Sequence, residues 1–260
     1  MSNPVLDLFR VDGKTAVITG ANGGIGGAMA EALAEAGANI IIVQIPGDTN
    51  TETKETLAKL PVKVSVYDCD LASVDEIKRT VAEIAERDGH QIDILINCAG
   101  VSGHKSIVDV DDEFRERIFN INMRATYVMT QEVGKRMIAT GKGGKVLNVS
   151  SVTSMIATVN LSVYAGTKGA VNQFTSAFAN EWAEHNIQVN CLCPGYILTP
   201  LTRPYLENEP GFKEKILERT PAGRWGLPED FKGVTLFLCS SASNYVTGVR
   251  MPIDGGLHGR

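Results

Sequence analysis

The sequence is poor in metal ligands. Its five cysteines (Cys69, Cys98, Cys191, Cys193 and Cys239) form no C-x-x-C pair, and its four histidines (His90, His104, His185 and His258) are scattered. Zinc sites draw on clustered Cys and His, so no metal centre is expected. Four of the cysteines lie in or beside apolar, strand-like or helical runs, as free buried thiols of a reducing compartment do. Basic charge is lacking too: a net charge of −5 leaves no footprint for nucleic acid or an anionic membrane. No apolar run approaches the roughly 20 residues that span a bilayer, and Met1 to Asp12 carries no signal-peptide core. Repeats, low-complexity stretches and domain linkers are absent as well. Together these absences predict a soluble cytoplasmic protein with neither nucleic acid nor membrane as partner.

What remains is a chain of 260 residues, 43% hydrophobic and 21% charged, enough for one α/β domain over 1–260. Lys14–Thr19 reads as a short buried strand. It runs into Gly20-Ala21-Asn22-Gly23-Gly24-Ile25-Gly26-Gly27 and then into helix formers over Ala28–Ala36. Strand, glycine-rich turn and helix form the context of a dinucleotide-binding turn. Gly20 suits the tight turn, Gly24 the approach of backbone to a pyrophosphate, and Gly26 the packing of helix on strand. The phosphates would meet unpaired N–H groups at the helix start.

Further strands are predicted at Asn39–Gln44, Val62–Tyr67, Ile92–Ile96, Lys145–Val149, Ile187–Leu192 and Gly248–Ile253. Helices are predicted at Ser73–Arg87 (with Ser73 and Glu76 as a capping box), Asp111–Thr140, Ser162–Glu184 and Pro228–Ser240. This alternation argues for a parallel, doubly wound Rossmann-type sheet of about seven strands. Ligands of such sheets gather at the strands' carboxyl ends, where Gly20, Gln44, Asp70, Asn97 and Ser150-Ser151 all fall. Asp70 can contact an adenine amino group or merely begin the turn before the next helix. The stretch from Pro200 to Pro221, with Pro204 and Pro210 inside it, reads as a short helical lid and substrate loop around 199–221.

The chemistry is expected on the predicted helix Ser162–Glu184. Tyr164 and Lys168 are four residues apart and so share one face. A nearby ammonium favours the phenolate and lowers the phenol's pKa from about 10, tuning Tyr164 as a general acid/base. Ser151 lies upstream, where a loop can return its hydroxyl over the helix start. Asn122 sits inside a predicted helix although Asn is a mediocre helix former.

Taken together these residues resemble the short-chain dehydrogenase/reductase family over essentially the whole chain. The family's turn T-G-x-x-x-G-x-G appears as Thr19-Gly20, Gly24 and Gly26. Its N-N-A-G appears as Asn97-Cys98-Ala99-Gly100, with Cys in place of the second Asn. Its Y-x-x-x-K appears as Tyr164 and Lys168, and its P-G-x-x-x-T as Pro194, Gly195 and Thr199. Closer still, Asn180–Ile187 and Pro221–Pro228 look like bacterial 2-deoxy-D-gluconate 3-dehydrogenases. Gluconate 5-dehydrogenases and fungal polyol or ketose reductases are near relatives.

The resemblance implies hydride transfer between a nicotinamide cofactor and a secondary alcohol or ketone. It implies catalytic roles for Asn122, Ser151, Tyr164 and Lys168, with Asn122 holding a water that links Lys168 to solvent. It implies a cofactor site of Gly20, Asn22, Gly24, Ile25, Gly26, Gln44, Asp70, Leu71, Asn97, Ala99, Gly100, Tyr164, Lys168, Pro194, Gly195, Ile197 and Thr199. A homotetramer joined through the two long helices and the last strand is implied as well.

No Arg or Lys lies in the Gly20–Gly27 turn or from Gln44 to Thr53 to neutralise a 2′-phosphate. NAD is therefore favoured over NADP, with Gln44 at the ribose. The relatives suggest a sugar acid or polyol as substrate, and His104, Lys105 and Arg203 can hold its carboxylate or be ordinary solvated side chains. Two other readings stay open: an NADP-dependent ketoreductase for hydrophobic ketones, and a catalytically silent cofactor-binding regulator. The second is disfavoured because Ser151, Tyr164 and Lys168 are all intact.

Overall fold

Residues 16–18, 40–43 and 94–96 are apolar without interruption, a pattern that suits strands covered on both faces. In the computed structural model, which describes residues 4–87, 91–208 and 211–259, they form the middle of a seven-stranded sheet. His90 and Pro210 lie outside the described residues. The order along the chain is α1 (Pro4–Asp7), β1 (Thr15–Thr19), α2 (Gly24–Glu35), β2 (Asn39–Gln44), α3 (Glu52–Leu57), β3 (Val64–Asp68) and α4 (Val74–Arg87). Then come β4 (Ile94–Asn97), α5 (Asp112–Phe119), α6 (Ala125–Thr140), β5 (Gly144–Val149), α7 (Ser162–Trp182), β6 (Ile187–Pro194), α8 (Arg203–Asn208), α9 (Phe212–Arg219), α10 (Lys232–Cys239) and β7 (Arg250–Ile253).

The strands run parallel in the order β3-β2-β1-β4-β5-β6-β7. The winding reverses between β1 and β4, which opens a crevice at their carboxyl ends. Successive strand residues point to opposite faces. Ile18, Ile40 and Ile42 meet Met29 and Leu33 of α2 and Leu238 of α10 on one side. Val17, Ile41 and Val43 share the other side with Val81 of α4, Val133 of α6 and Trp182 of α7. Each such fully buried side chain contributes about 1.5–3 kcal/mol before the entropy of ordering the chain is subtracted.

The long helix expected over Asp111–Thr140 is interrupted. Asn120–Arg124 forms a π-helical turn between α5 and α6, and Asn122 lies in it. The capping box is half formed: Ser73 Oγ accepts from Glu76 N at 3.3 Å, but the Glu76 carboxylate accepts from Asp70 N at 2.8 Å rather than from Ser73. The predicted helix over Pro228–Ser240 opens as a 3-10 turn, Pro228–Phe231, before α10. The stretch after Thr199 carries two short helices, α8 and α9, rather than one.

Helices α6 and α7 approach closely because Gly134 has no side chain. A Cβ there would lie 2.3 Å from Cη2 of the buried Trp182 ring. A helical Gly→Ala exchange ordinarily gains about 1 kcal/mol, but overpacking costs about 1–3 kcal/mol, and the Trp182 ring is itself buried against Phe178 with ring centres 4.6 Å apart. Gly134→Ala is therefore expected to lower stability in urea unfolding; an unchanged or raised midpoint would refute this packing account.

Candidate active site

The cleft begins where β1 ends. Thr19 Oγ1 accepts from the N–H groups of Cys98 and Ala99, each at 3.2 Å, and so pins the loop after β4 against the loop after β1. Gly20 is at φ +69, and a Cβ on it would sit 2.8 Å from the Ala99 Cα. A Cβ on Gly26 would lie 2.2 Å from the Gly20 carbonyl oxygen. Neither position tolerates a side chain, so the turn is tight because its residues are bare. Helix α2 starts at Gly24 with no side-chain cap, leaving its first N–H groups directed at the cleft. Gly24 is at φ +55, a conformation that favours glycine, and its Cα side lies beside Thr199.

Gly20, Asn22, Gly24, Ile25, Gly26, Ala99, Gly100, Ser151, Tyr164, Lys168, Pro194, Gly195, Ile197 and Thr199 all line this one cleft of about 370 Å³. They come from five separate stretches of chain. A second cavity of about 390 Å³, between Tyr196, Thr220 and Asp254, shares Ile197 with the cleft but holds none of Ser151, Tyr164 and Lys168. The cleft fits a dinucleotide by its own chemistry. Its glycine cradle exposes backbone donors for phosphates, and the buried Oδ1 of Asn22 has no hydrogen-bond partner, an acceptor suited to a sugar hydroxyl.

Tyr164 and Lys168 stand one turn apart on α7, with Lys168 Nζ 5.6 Å from the centre of the Tyr164 ring. Lys168 is 4% exposed. Its ammonium donates to the Val149 carbonyl at 2.8 Å, and Ser150 Oγ donates to the Lys168 carbonyl at 2.9 Å. Burial lowers the Lys168 pKa. Burial also dominates at Tyr164, whose phenol is pushed up to about 12 although a hydrogen bond with Ser151 acts in the opposite direction. This corrects the expectation that Lys168 lowers the phenol's pKa in the protein alone. Part of the Tyr164 ring lies on the cleft wall, but the dense protein around the phenol desolvates its anion. At neutral pH Tyr164 is a proton donor.

Ser151 is oriented by a residue that sequence reasoning missed. Its Oγ accepts from Thr153 N at 3.2 Å and from Thr153 Oγ1 at 3.0 Å. The acceptor side is thus occupied, and the hydroxyl proton is directed to the cleft. Asn122 is fully buried. Its amide donates to the Val101 carbonyl at 2.8 Å while its Oδ1 accepts from Val101 N at 2.9 Å. A Cβ on Gly100 would sit 3.3 Å from Asn122 Oδ1 and 3.6 Å from Lys168 Nζ. Asn122 and Lys168 therefore converge behind a glycine.

Other expected residues are placed differently. The Asn97 side chain points into the core, donating to Thr130 Oγ1 and Asn148 Oδ1 at 2.8 Å each; it braces β4 against β5 and α6 rather than lining the cleft. Asp70 accepts from Ala72 N at 2.9 Å and begins the turn before α4, and Leu71 packs against the core on that side. Lys105 is paired with Asp111 and lies 5.3 Å over the Phe114 ring. Of the two readings open for Lys105, this pairing is the one of a side chain engaged within the protein. His104 and Arg203 are exposed and contribute nothing to the cleft wall. Gln44 closes a polar cluster: its Oε1 accepts from Asn22 Nδ2 at 2.9 Å and from Lys54 Nζ at 3.2 Å, while Asp48 accepts from Asn22 Nδ2 at 2.6 Å. Lys54, on α3, directly follows Thr53 in the chain. Only the turn into α3 brings it back to the end of β2.

Comparison with known proteins agrees with this geometry. The profile of a family described as Enoyl-(Acyl carrier protein) reductase matches residues 20–258. A 2-dehydro-3-deoxy-D-gluconate 5-dehydrogenase of Dickeya dadantii is 38% identical over 254 residues, covering 97% of this chain and 98% of its own. An NAD-dependent glycerol dehydrogenase of Listeria innocua is 37% identical, covering 95% of each. The crystal structure of a gluconate 5-dehydrogenase from Burkholderia cenocepacia, in complex with NADP and tartrate, superposes with a TM-score of 0.88 at 37% identity, covering 98% of this chain and 99% of that one. With a family model matched over nearly its whole length and relatives more than 30% identical across at least 95% of it, the chain belongs to the short-chain dehydrogenase/reductase family of NAD(P)-dependent oxidoreductases.

Proposed function

We propose that the protein interconverts a secondary alcohol and a ketone on a sugar acid or polyol, with NAD preferred and NADP admitted. The observation that carries the reading is the meeting of Ser151, Tyr164 and Lys168 in a cleft whose glycine cradle suits a dinucleotide. A nicotinamide bound there supplies or accepts the hydride. Tyr164, held protonated by burial, gives its proton to the carbonyl oxygen in reduction and takes it back in oxidation. Ser151, its acceptor side filled by Thr153, donates to the same oxygen and orients it. Lys168 favours the phenolate as it forms, and Asn122 holds the water through which Lys168 exchanges protons with solvent.

The sugar-acid reading is supported by the names of the Dickeya and Burkholderia relatives and by the polar hydroxyls at the cleft. The cofactor reading rests on the Gln44 cluster. Asp48 and Gln44 suit the hydroxyls of an unphosphorylated ribose, and the Lys54 ammonium at Gln44 Oε1 offers a partner to a 2′-phosphate. The assembly we infer is a homotetramer of cytoplasmic enzyme. Tyr127, edge-on to Phe174 and tilted against Phe178 with ring centres 5.2 Å from each, offers a partly exposed aromatic face on α6 and α7 for a second copy.

Three outcomes test these assignments. Absorbance of reduced nicotinamide, followed with sugar acids, polyols and apolar ketones, should show wild-type turnover of the polar substrates. In Tyr164→Phe that turnover should fall by about 10²–10⁴-fold, the range of general acid–base catalysis, with cofactor still bound. Turnover of apolar ketones alone would overturn the substrate class. Ultraviolet difference titration of the cofactor-free protein against Tyr164→Phe should place the phenol's midpoint near 12, and a midpoint below the ordinary value near 10 would show that Lys168 outweighs burial. Lys54→Glu should raise KM for NADP about tenfold more than KM for NAD, the size of one lost charge-assisted hydrogen bond. Equal changes for both cofactors would remove Lys54 from the ribose site.

A further inference from the structure

The amino ends of the parallel strands carry a third cavity, of about 180 Å³, on the opposite edge of the sheet from the candidate active site. Four cations surround it: Arg10, Lys14, Lys142 and Lys145. Two are neutralised in place. Arg10 makes a two-pronged pair with Asp12 at 2.9 and 3.0 Å. Lys14 pairs with Asp93 at 3.1 Å, and Asp93 also accepts from Thr15 N and Gln91 Nε2. Among the described residues no carboxylate forms an ion pair with Lys142 or Lys145.

Lys145 is the unusual member. Its ammonium is partly buried, and the partners it has are neutral: Ser243 Oγ at 3.3 Å and Asn244 Oδ1 at 3.0 Å. Its other neighbour, the Cys239 thiol, is kept protonated by burial. Desolvation without a counter-ion is what lowers the Lys145 pKa, to about 8. An ammonium held this way has one donor in reserve and an unmet need for negative charge. The local excess of two positive charges stands in a chain whose net charge is −5. The loop that brings Lys142 beside Lys145 is locked: a Cβ on Gly143, at φ +73, would meet the Asn186 carbonyl at 2.4 Å.

We propose that this cavity is an anion site for a phosphate-class oxyanion, either inorganic phosphate or the phosphate group of a small ester, with Lys145 as its inner contact and Lys142 as its outer one. A phosphate or phosphate monoester carries between one and two negative charges near neutral pH, which suits two ammonium groups that have no carboxylate partner among the described residues, and lysine binds phosphate as a point charge. The site is remote from Tyr164 and Lys168 and independent of the reaction assigned to them.

Calorimetric titration of the enzyme with inorganic phosphate tests the site, at constant ionic strength set with chloride. Saturating NAD or NADP is present so that the helix N-terminus in the cleft is already occupied. One binding event is expected in the wild type. Lys145→Gln should weaken it at least tenfold and Lys142→Gln severalfold, both with wild-type turnover. A parallel titration with glycerol 3-phosphate identifies the source: tighter binding than phosphate assigns the site to an ester, weaker binding to the free ion, and either supports the site. No heat with phosphate, heat unchanged in both variants, or heat that appears only without cofactor would each overturn the proposal. Lys142 is exposed, so its variant tests the site even if Lys145→Gln does not fold.

Discussion

An ammonium buried without a carboxylate is the constraint on which the active site depends. Lys168 would be costly to hold away from water, and the protein meets that cost with a backbone carbonyl, that of Val149, at the end of β5. The contact ties α7 to the sheet at the level where β5 gives way to Ser150 and Ser151. Ser150 reinforces it by donating to the Lys168 carbonyl. Fixing Lys168 fixes the turn of α7 that carries Tyr164, and the same strand end carries Ser151. Three polar side chains of the cleft, Ser151, Tyr164 and Lys168, are therefore held by one short set of hydrogen bonds rather than by the packing of long side chains.

The opposite wall of the cleft is held by what is missing. Gly20 and Gly26 bring β1, the loop after β4 and the start of α2 within distances that no Cβ survives, and the Thr19 hydroxyl closes the arrangement by accepting two N–H groups. A parallel sheet makes this economical, because all its strand ends face one way and the reversal of winding between β1 and β4 leaves a gap between them. The same directionality gathers the amino ends, with Lys14, Asp93 and Lys145, on the far edge. One topology thus produces two polar rims of different character: a rim of glycines and backbone donors, and a rim of lysines.

Much of this was legible beforehand. The strands, the glycine turn and the pairing of Tyr164 with Lys168 depend on local spacing, and local spacing is what a sequence displays. Asn122 was harder to read. As a mediocre helix former inside a helical pattern it gave a hint, but its value comes from a π turn that aims its amide at the peptide of Val101. Thr153 gave no signal beyond standing two residues after Ser151. The placements of Lys105 and Asn97 were not legible: a polar residue near a strand end or loop can face the cleft or face a partner, and the partners here are Asp111 six residues on for Lys105 and the distant Thr130 and Asn148 for Asn97.

The sequence by itself determined the fold class, the glycine turn after β1 and the spacing that sets Tyr164 and Lys168 on one helix face, because periodicity, glycine spacing and the four-residue repeat of a helix act within a few residues of one another. The tertiary structure decided the electrostatics. Whether Tyr164 rests as phenol or phenolate, whether Lys54 reaches the end of β2 and whether Lys145 finds a counter-charge all depend on which distant groups surround each charge and how much water they exclude. Desolvation and pairing are properties of the packed interior, and no stretch of chain carries them alone.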